Sequence, residues 1–132
     1  MRKRGRVLVV EDEFLISMLT EDMLDNLGFE ITTVAATLGE GLAAARDADV
    51  DVAVLDINLR GDTSYPIAEM LLARGIPFVF TSGYGKTGID PRYAEAQVLQ
   101  KPFTEQSLDA AISRSVNARG DGDYLAFKRP DE

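Results

Sequence analysis

The chain has 132 residues and a net charge of −8, and it contains neither cysteine nor histidine. That length suits one domain, and the missing residue types exclude disulfides, thiol nucleophiles, an imidazole base and zinc sites of the Cys/His kind. The acidic balance argues against a nucleic-acid surface. No apolar run approaches the roughly 20 residues that span a bilayer. The basic start, Met1 to Arg6, is followed by only a short apolar stretch before Glu11, so it reads as a solvated tail and not as a secretory signal. A cytoplasmic protein, monomeric or weakly dimeric, is expected.

Val7 to Val10 reads as a buried strand that runs into Glu11-Asp12. Leu15, Met18, Leu19, Met23, Leu24 and Leu27 then recur at helical spacing, and Gly28 stands where a helix-ending glycine belongs. Glu30 to Val34 reads as a short strand. Thr37 can cap a helix through Arg46, with Leu38, Leu42 and Ala45 on one face. Val50 to Leu55 is a second buried strand, ending in Asp56, and Arg60 to Thr63 is a loop.

Ser64 is placed to cap a helix that carries Pro66 in its first turn, buries Ile67, Met70 and Leu71, and stops at Gly75. Ile76 to Phe80 is a strand running into Thr81-Ser82. Gly83 to Glu95 holds three glycines and Pro91 with little periodicity, so the helix due there is expected to be short or mobile. Gln97 to Gln100 is a weaker strand running into Lys101-Pro102. A helix from Thr104 to about Val116 buries Leu108, Ala111, Ile112 and Val116.

Strands alternating with helices predict a doubly wound α/β fold with a five-stranded parallel sheet, and the expected order is the flavodoxin-like 2-1-3-4-5. Ligands in such sheets sit just past the carboxyl ends of the strands. Glu11, Asp12, Asp56, a hydroxyl from Thr81 or Ser82, and Lys101 therefore meet at one rim. Two carboxylates about 4 Å apart repel by roughly 4 kcal/mol at an effective dielectric of about 20. Lys101 supplies one compensating charge, and an oxygen-bound Mg²⁺ would supply two more. Asp56, on the central strand, is the best placed to act as a nucleophile toward phosphorus. Phosphoryl transfer depends on positioning and charge neutralisation, so the lack of histidine is no obstacle.

Glu11-Asp12, Asp56, Ser82 and Lys101-Pro102-Phe103 together resemble the signature of the response-regulator receiver domain of two-component signalling. The likeness covers residues 6 to 117, leaving 118 to 132 as a short tail with no room for an output domain. It implies that Asp56 accepts a phosphoryl group from a histidine kinase or histidine phosphotransfer protein. It implies Mg²⁺ on Asp12, Asp56 and the Asn58 carbonyl, with Glu11 acting mostly through water. Lys101 would hold a phosphoryl oxygen, with the Lys101–Pro102 bond cis. Adjacent strand residues face opposite ways, so only one of Thr81 and Ser82 can serve. The receiver pattern, counted five residues on from Pro77, favours Ser82.

Two positions depart from that pattern. Val98 stands where receivers carry an aromatic residue three places before the lysine. Phe80 to Gly85 is similar to the Phe-Ala-Thr-Gly-Tyr motif of a receiver subgroup, with Thr81 at the alanine. The switch is therefore expected in Thr81, Ser82, Gly83, Tyr84 and Val98, as an order change in Gly83 to Glu95. The output would be phosphorylation-dependent binding of an unknown downstream protein, or a phosphate sink. The alternative is a Mg²⁺-dependent phosphatase of the haloacid dehalogenase type, which would need Asp-x-Asp on the first strand where this chain has Glu11-Asp12. A third reading is a scaffold that binds proteins without phosphorylation.

Overall fold

The computed structural model describes residues 3–120. Strands β1 (Arg6–Val10), β2 (Glu30–Ala35) and β3 (Val52–Asp56) alternate with helices α1 (Phe14–Asn26) and α2 (Leu38–Asp47). A two-strand hairpin, β4 (Asn58–Leu59) and β5 (Asp62–Thr63), leads into helix α3 (Tyr65–Arg74). Then come β6 (Phe78–Ser82), β7 (Gln97–Gln100) and helix α4 (Glu105–Gly120). The five long strands form one parallel sheet ordered β2-β1-β3-β6-β7. With the hairpin set aside, that is the expected 2-1-3-4-5.

Side chains alternate across this sheet and build two cores. Leu8, Val10, Leu55, Phe78 and Phe80 pack beneath α2 and α3. Val7, Val9, Val54 and Val79 pack beneath α1 and α4. Strands buried on both faces explain the near-continuous apolar runs of the sequence. Helix ends follow local chemistry. Thr37 Oγ1 accepts the Glu40 N–H at 3.1 Å. Thr104 and Ser107 bond reciprocally at the start of α4, with Ser107 N–H donating to Thr104 Oγ1 at 3.0 Å and Thr104 N–H to Ser107 Oγ at 3.1 Å. Gly28 and Gly75 follow α1 and α3 with φ of 93° and 71°.

Several expectations are corrected. Helix α4 runs on to Gly120, past its expected end near Val116; residues 121–132 of the expected tail lie outside the described ones. Arg4 and Arg6 do not belong to a solvated tail. Arg4 pairs with Asp109 at 2.9 Å and stacks over the Phe29 ring, and Arg6 pairs with Asp49 and Asp51. Ser64 sits at the N-terminus of α3, but its buried hydroxyl makes no capping bond. Val116 is exposed, and Ser115 takes the buried place with its hydroxyl donating to the Ile112 carbonyl at 2.8 Å.

The first half of the α1 apolar stripe, Leu15, Met18 and Leu19, is turned outward, while Met23, Leu24 and Leu27 pack inward. Leu15 and Leu19 are 73% and 59% exposed, while Ser17, Thr20 and Leu24 are buried. Ser17 and Thr20 tolerate burial because each hydroxyl has a local acceptor, Glu21 Oε2 and the Ile16 carbonyl.

The expected fourth helix is reduced to one 3₁₀ turn, Pro91–Tyr93. Gly85 and Gly88 adopt φ of 60° and 79°, which breaks any helix before it starts. The gap over the sheet is filled by Tyr93, only 1% exposed, stacked on Tyr65 at 5.1 Å and edge-on to Phe80. Tyr93 donates its hydroxyl proton to Glu69, which also pairs with Arg92 at 2.8 Å. Asp90 N–H donates to Tyr65 Oη at 2.9 Å. The end of this segment is therefore bolted to α3. Val98 packs beside this aromatic cluster, in register with Phe80.

Candidate functional site: an acidic pocket at the strand ends

β1 ends at Val10 and delivers Glu11 and Asp12, and β3 ends at Asp56 beside them. One carboxylate oxygen from each of the three lies within 4.8 Å of the others. The turn out of β7 supplies Lys101, whose bond to Pro102 is cis. Its ammonium donates to Glu11 Oε1 at 2.9 Å and Asp56 Oδ2 at 3.1 Å. Glu11 spends its other oxygen on the Glu13 N–H at 3.1 Å, at the start of α1. Asp56 Oδ1 accepts the Asn58 N–H at 3.2 Å. Asp56 thus has one oxygen fixed by backbone and the other by a cation.

The electrostatics reflect crowding. Burial pushes the Glu11 carboxyl from 4.5 up to about 7 and the Asp56 charge adds to this, while the bonds from Lys101 and the Glu13 N–H oppose it. Burial works against the Lys101 charge, yet its pKa is raised, because the bonds to Glu11 and Asp56 outweigh that penalty. Lys101 is shared between Glu11 and Asp56, and burial beside another carboxylate disfavours the Glu11 charge.

Of the residues anticipated from the sequence, Glu11, Asp12, Asp56 and Lys101 are brought together. Asn58 is exposed at the pocket mouth. Thr81 and Ser82 are both buried. Thr81 is in register with Asp56. Ser82 lines a separate groove with Asn58, Tyr65 and Tyr84, and its Oγ accepts the Tyr84 N–H at 3.0 Å. Gly83 and Tyr84 are exposed, Tyr84 at 72%, and Val98 lies away from the carboxylates among the aromatics. Sequence reasoning missed Arg60, whose Nε stands 3.4 Å from Asp12 Oδ2. Only the turn was within reach of the sequence, since Arg60-Gly61 is a two-residue hairpin tip beginning four residues after Asp56; the pairing with Asp12 was not.

Fold, strand-end carboxylates and lysine together are those of a receiver-type α/β signalling domain. The chain belongs to the family described as "Response regulator receiver domain", whose model matches residues 7–113. It is similar to SdrG from Sphingomonas melonis, with 42% identity, a TM-score of 0.77, and coverage of 86% of this chain and 97% of that one. It is also similar to the receiver domain of the PhyR response regulator from Erythrobacter litoralis, with 30% identity, a TM-score of 0.75, and coverage of 87% and 92%. The transcriptional regulatory protein PdtaR of Mycobacterium tuberculosis is 30% identical over 85% of this chain and 57% of its own length. The chain spans about half the length of the curated relatives it matches, from 43% to 57%. No helix among the described residues is long and apolar enough to cross a membrane.

Proposed function

We propose that Asp56 is a phosphoacceptor supplied by a histidine kinase or a histidine phosphotransfer protein. The observation that carries this reading is the two-sided fixing of the Asp56 carboxylate, by the Asn58 N–H and by Lys101, at the end of the central strand. An Asp56 oxygen would form a bond to phosphorus as the P–N bond of the phosphoimidazole breaks and the imidazole leaves. Lys101 would then hold a phosphoryl oxygen. Three clustered carboxylates form an all-oxygen donor set of the kind Mg²⁺ takes. Asp12, Asp56 and the Asn58 carbonyl would hold the ion, with Glu11 acting through water. Bound there, it would neutralise charge on the phosphoryl oxygens.

The donor is proposed to dock on α1. Phe14, Leu15, Met18 and Leu19 are exposed on that helix. An apolar groove lined by Ile16, Leu19, Met23, Pro102 and Phe103 runs up to Lys101 at the pocket. Among the described residues nothing covers this apolar face, which supports its use as an interaction site.

Output is proposed to run through Ser82. Its hydroxyl, now engaged by the Tyr84 N–H, would turn to the phosphoryl group and release the residues after it. The rearranging stretch would be Gly83 to Ile89, since Asp90 to Ala96 is held by Tyr65, Glu69 and the Tyr93 stack. Amide exchange with and without beryllofluoride would check this, and equal protection of residues 83–89 in both states would exclude it. Such a change would drive binding of a downstream protein, or the domain would drain phosphoryl groups from a shared kinase.

A phosphatase of the haloacid dehalogenase type is the competing reading, and turnover separates the two. The receiver reading expects a stoichiometric, base-labile phosphoryl mark and no sustained hydrolysis of a generic phosphate ester. Many turnovers per chain would favour the phosphatase.

A further inference from the structure

We infer that Arg60 is the counter-cation of Asp12 in the metal-free protein and competes with the divalent ion for that carboxylate, so that this residue sets the metal affinity of the pocket. The inference rests on the reading of the acidic cluster as a Mg²⁺ site.

Lys101 serves Glu11 and Asp56. Asp12 is served from the other side. Arg60 Nε lies 3.4 Å from Asp12 Oδ2, and its Nη2 donates to the Asp12 carbonyl at 3.5 Å. The backbone explains how a distant residue reaches the rim. The chain bends at Ile57, where the Asn58 N–H closes on Asp56 Oδ1, and enters the β4–β5 hairpin directly. Ile57 and Leu59 are buried in the core, while Asn58 and Arg60 are exposed, and Arg60 reaches back to Asp12.

The hairpin then turns in two residues, Arg60 and Gly61, with φ of 49° and 92°. That geometry suits Asn-Gly or Gly-Gly. Arg60 is the one non-glycine residue with positive φ among the described residues. A β-carbon held in this region is a cost to the turn, and such outliers collect at functional sites. The side chain that the outlier presents is a guanidinium over a metal-binding carboxylate.

A dication bound at Asp12 needs the same oxygen and places two positive charges beside the guanidinium. Arginine cannot shed its charge, so Arg60 yields only by swinging outward. Its side chain is 78% exposed against 12% for Asp12, so it has a free path into solvent. Because the pair is exposed on one side, its grip is modest. Arg60 would therefore weaken metal binding by a small factor while protecting the empty pocket from its own repulsion.

The test is Mg²⁺ binding by titration calorimetry on the full chain, with thermal unfolding of the metal-free protein as a second readout. Arg60→Gln and Arg60→Gly should each bind Mg²⁺ roughly two- to five-fold tighter than wild type. That gap should narrow between about 50 mM and about 500 mM salt. Arg60→Gln should also melt lower than wild type without metal, while Arg60→Gly keeps the turn and guards against a folding artefact. Arg46→Gln, which removes the same charge from the far end of α2, should leave the affinity unchanged. Equal or weaker binding by both Arg60 variants would overturn the inference, as would equal tightening in Arg46→Gln. If no variant and no wild-type protein binds Mg²⁺, the metal-site reading itself falls.

Discussion

Lys101 Nζ and Asp56 Oδ2 lie 3.1 Å apart across the ends of two strands that do not touch, with β6 between them. The lysine also bonds Glu11, so it is the clamp of the pocket. Lys101→Ala should leave two buried carboxylates without that cation. The expected cost is on the order of 2 kcal/mol in metal-free protein at neutral pH. Urea unfolding would measure it, and added Mg²⁺ should restore part of the loss. A variant as stable as wild type would show that the ion pair carries no weight.

Glu11 gives the fold a pH dependence of definite sign. Its carboxyl is raised from 4.5 to about 7, first by burial. The folded state then holds this proton more tightly than the unfolded state. Its contribution is fully present below the unfolded value and is lost as pH rises through the folded one. In metal-free protein, Glu11→Gln should therefore match wild type near about pH 4 and exceed it in melting temperature near about pH 8. A constant difference across that window would contradict the assignment.

The α1 face makes a separable prediction. Leu15→Asp and Leu19→Asp change exposed positions and should shift stability by no more than about 0.5 kcal/mol. Both should still take a phosphoryl group from acetyl phosphate and should lose transfer from a phosphorylated protein donor. Wild-type transfer from the protein donor would remove α1 as the docking face.

Tyr93 tests what replaces the missing helix. Its ring is buried against Tyr65, Phe78 and Phe80. Tyr93→Ala should cost roughly 3–5 kcal/mol. Tyr93→Phe keeps the ring and loses the hydroxyl's bonds to Glu69 and to the Tyr65 carbonyl, at about 1 kcal/mol. Chemical denaturation of the pair checks the ratio; equal losses would mean that the hydroxyl matters more than the ring.

The sheet was legible in the sequence because buried parallel strands are short apolar runs. The pocket was legible because each run ends directly in the residue that lines it: Val10 in Glu11-Asp12, Leu55 in Asp56, Gln100 in Lys101. The outward turn of α1 was not legible. Periodicity locates an apolar stripe but not what it faces, and here Ser17 and Thr20 face in while Leu15 and Leu19 face out. Tyr93 was hidden for the opposite reason, since it lies in a stretch with no period and is buried by contacts with Tyr65 and Glu69, more than twenty residues away. Arg60, Arg4 and Arg6 acquire their partners through long-range pairing, which local pattern does not encode.

The central claim is that Asp56 is the one residue that receives the phosphoryl group. Intact mass after incubation with acetyl phosphate and Mg²⁺ tests it most directly. The account predicts a single added phosphoryl group on wild type and none on Asp56→Asn, a variant that keeps the shape and an acceptor oxygen. Equal labelling of the asparagine variant would contradict it.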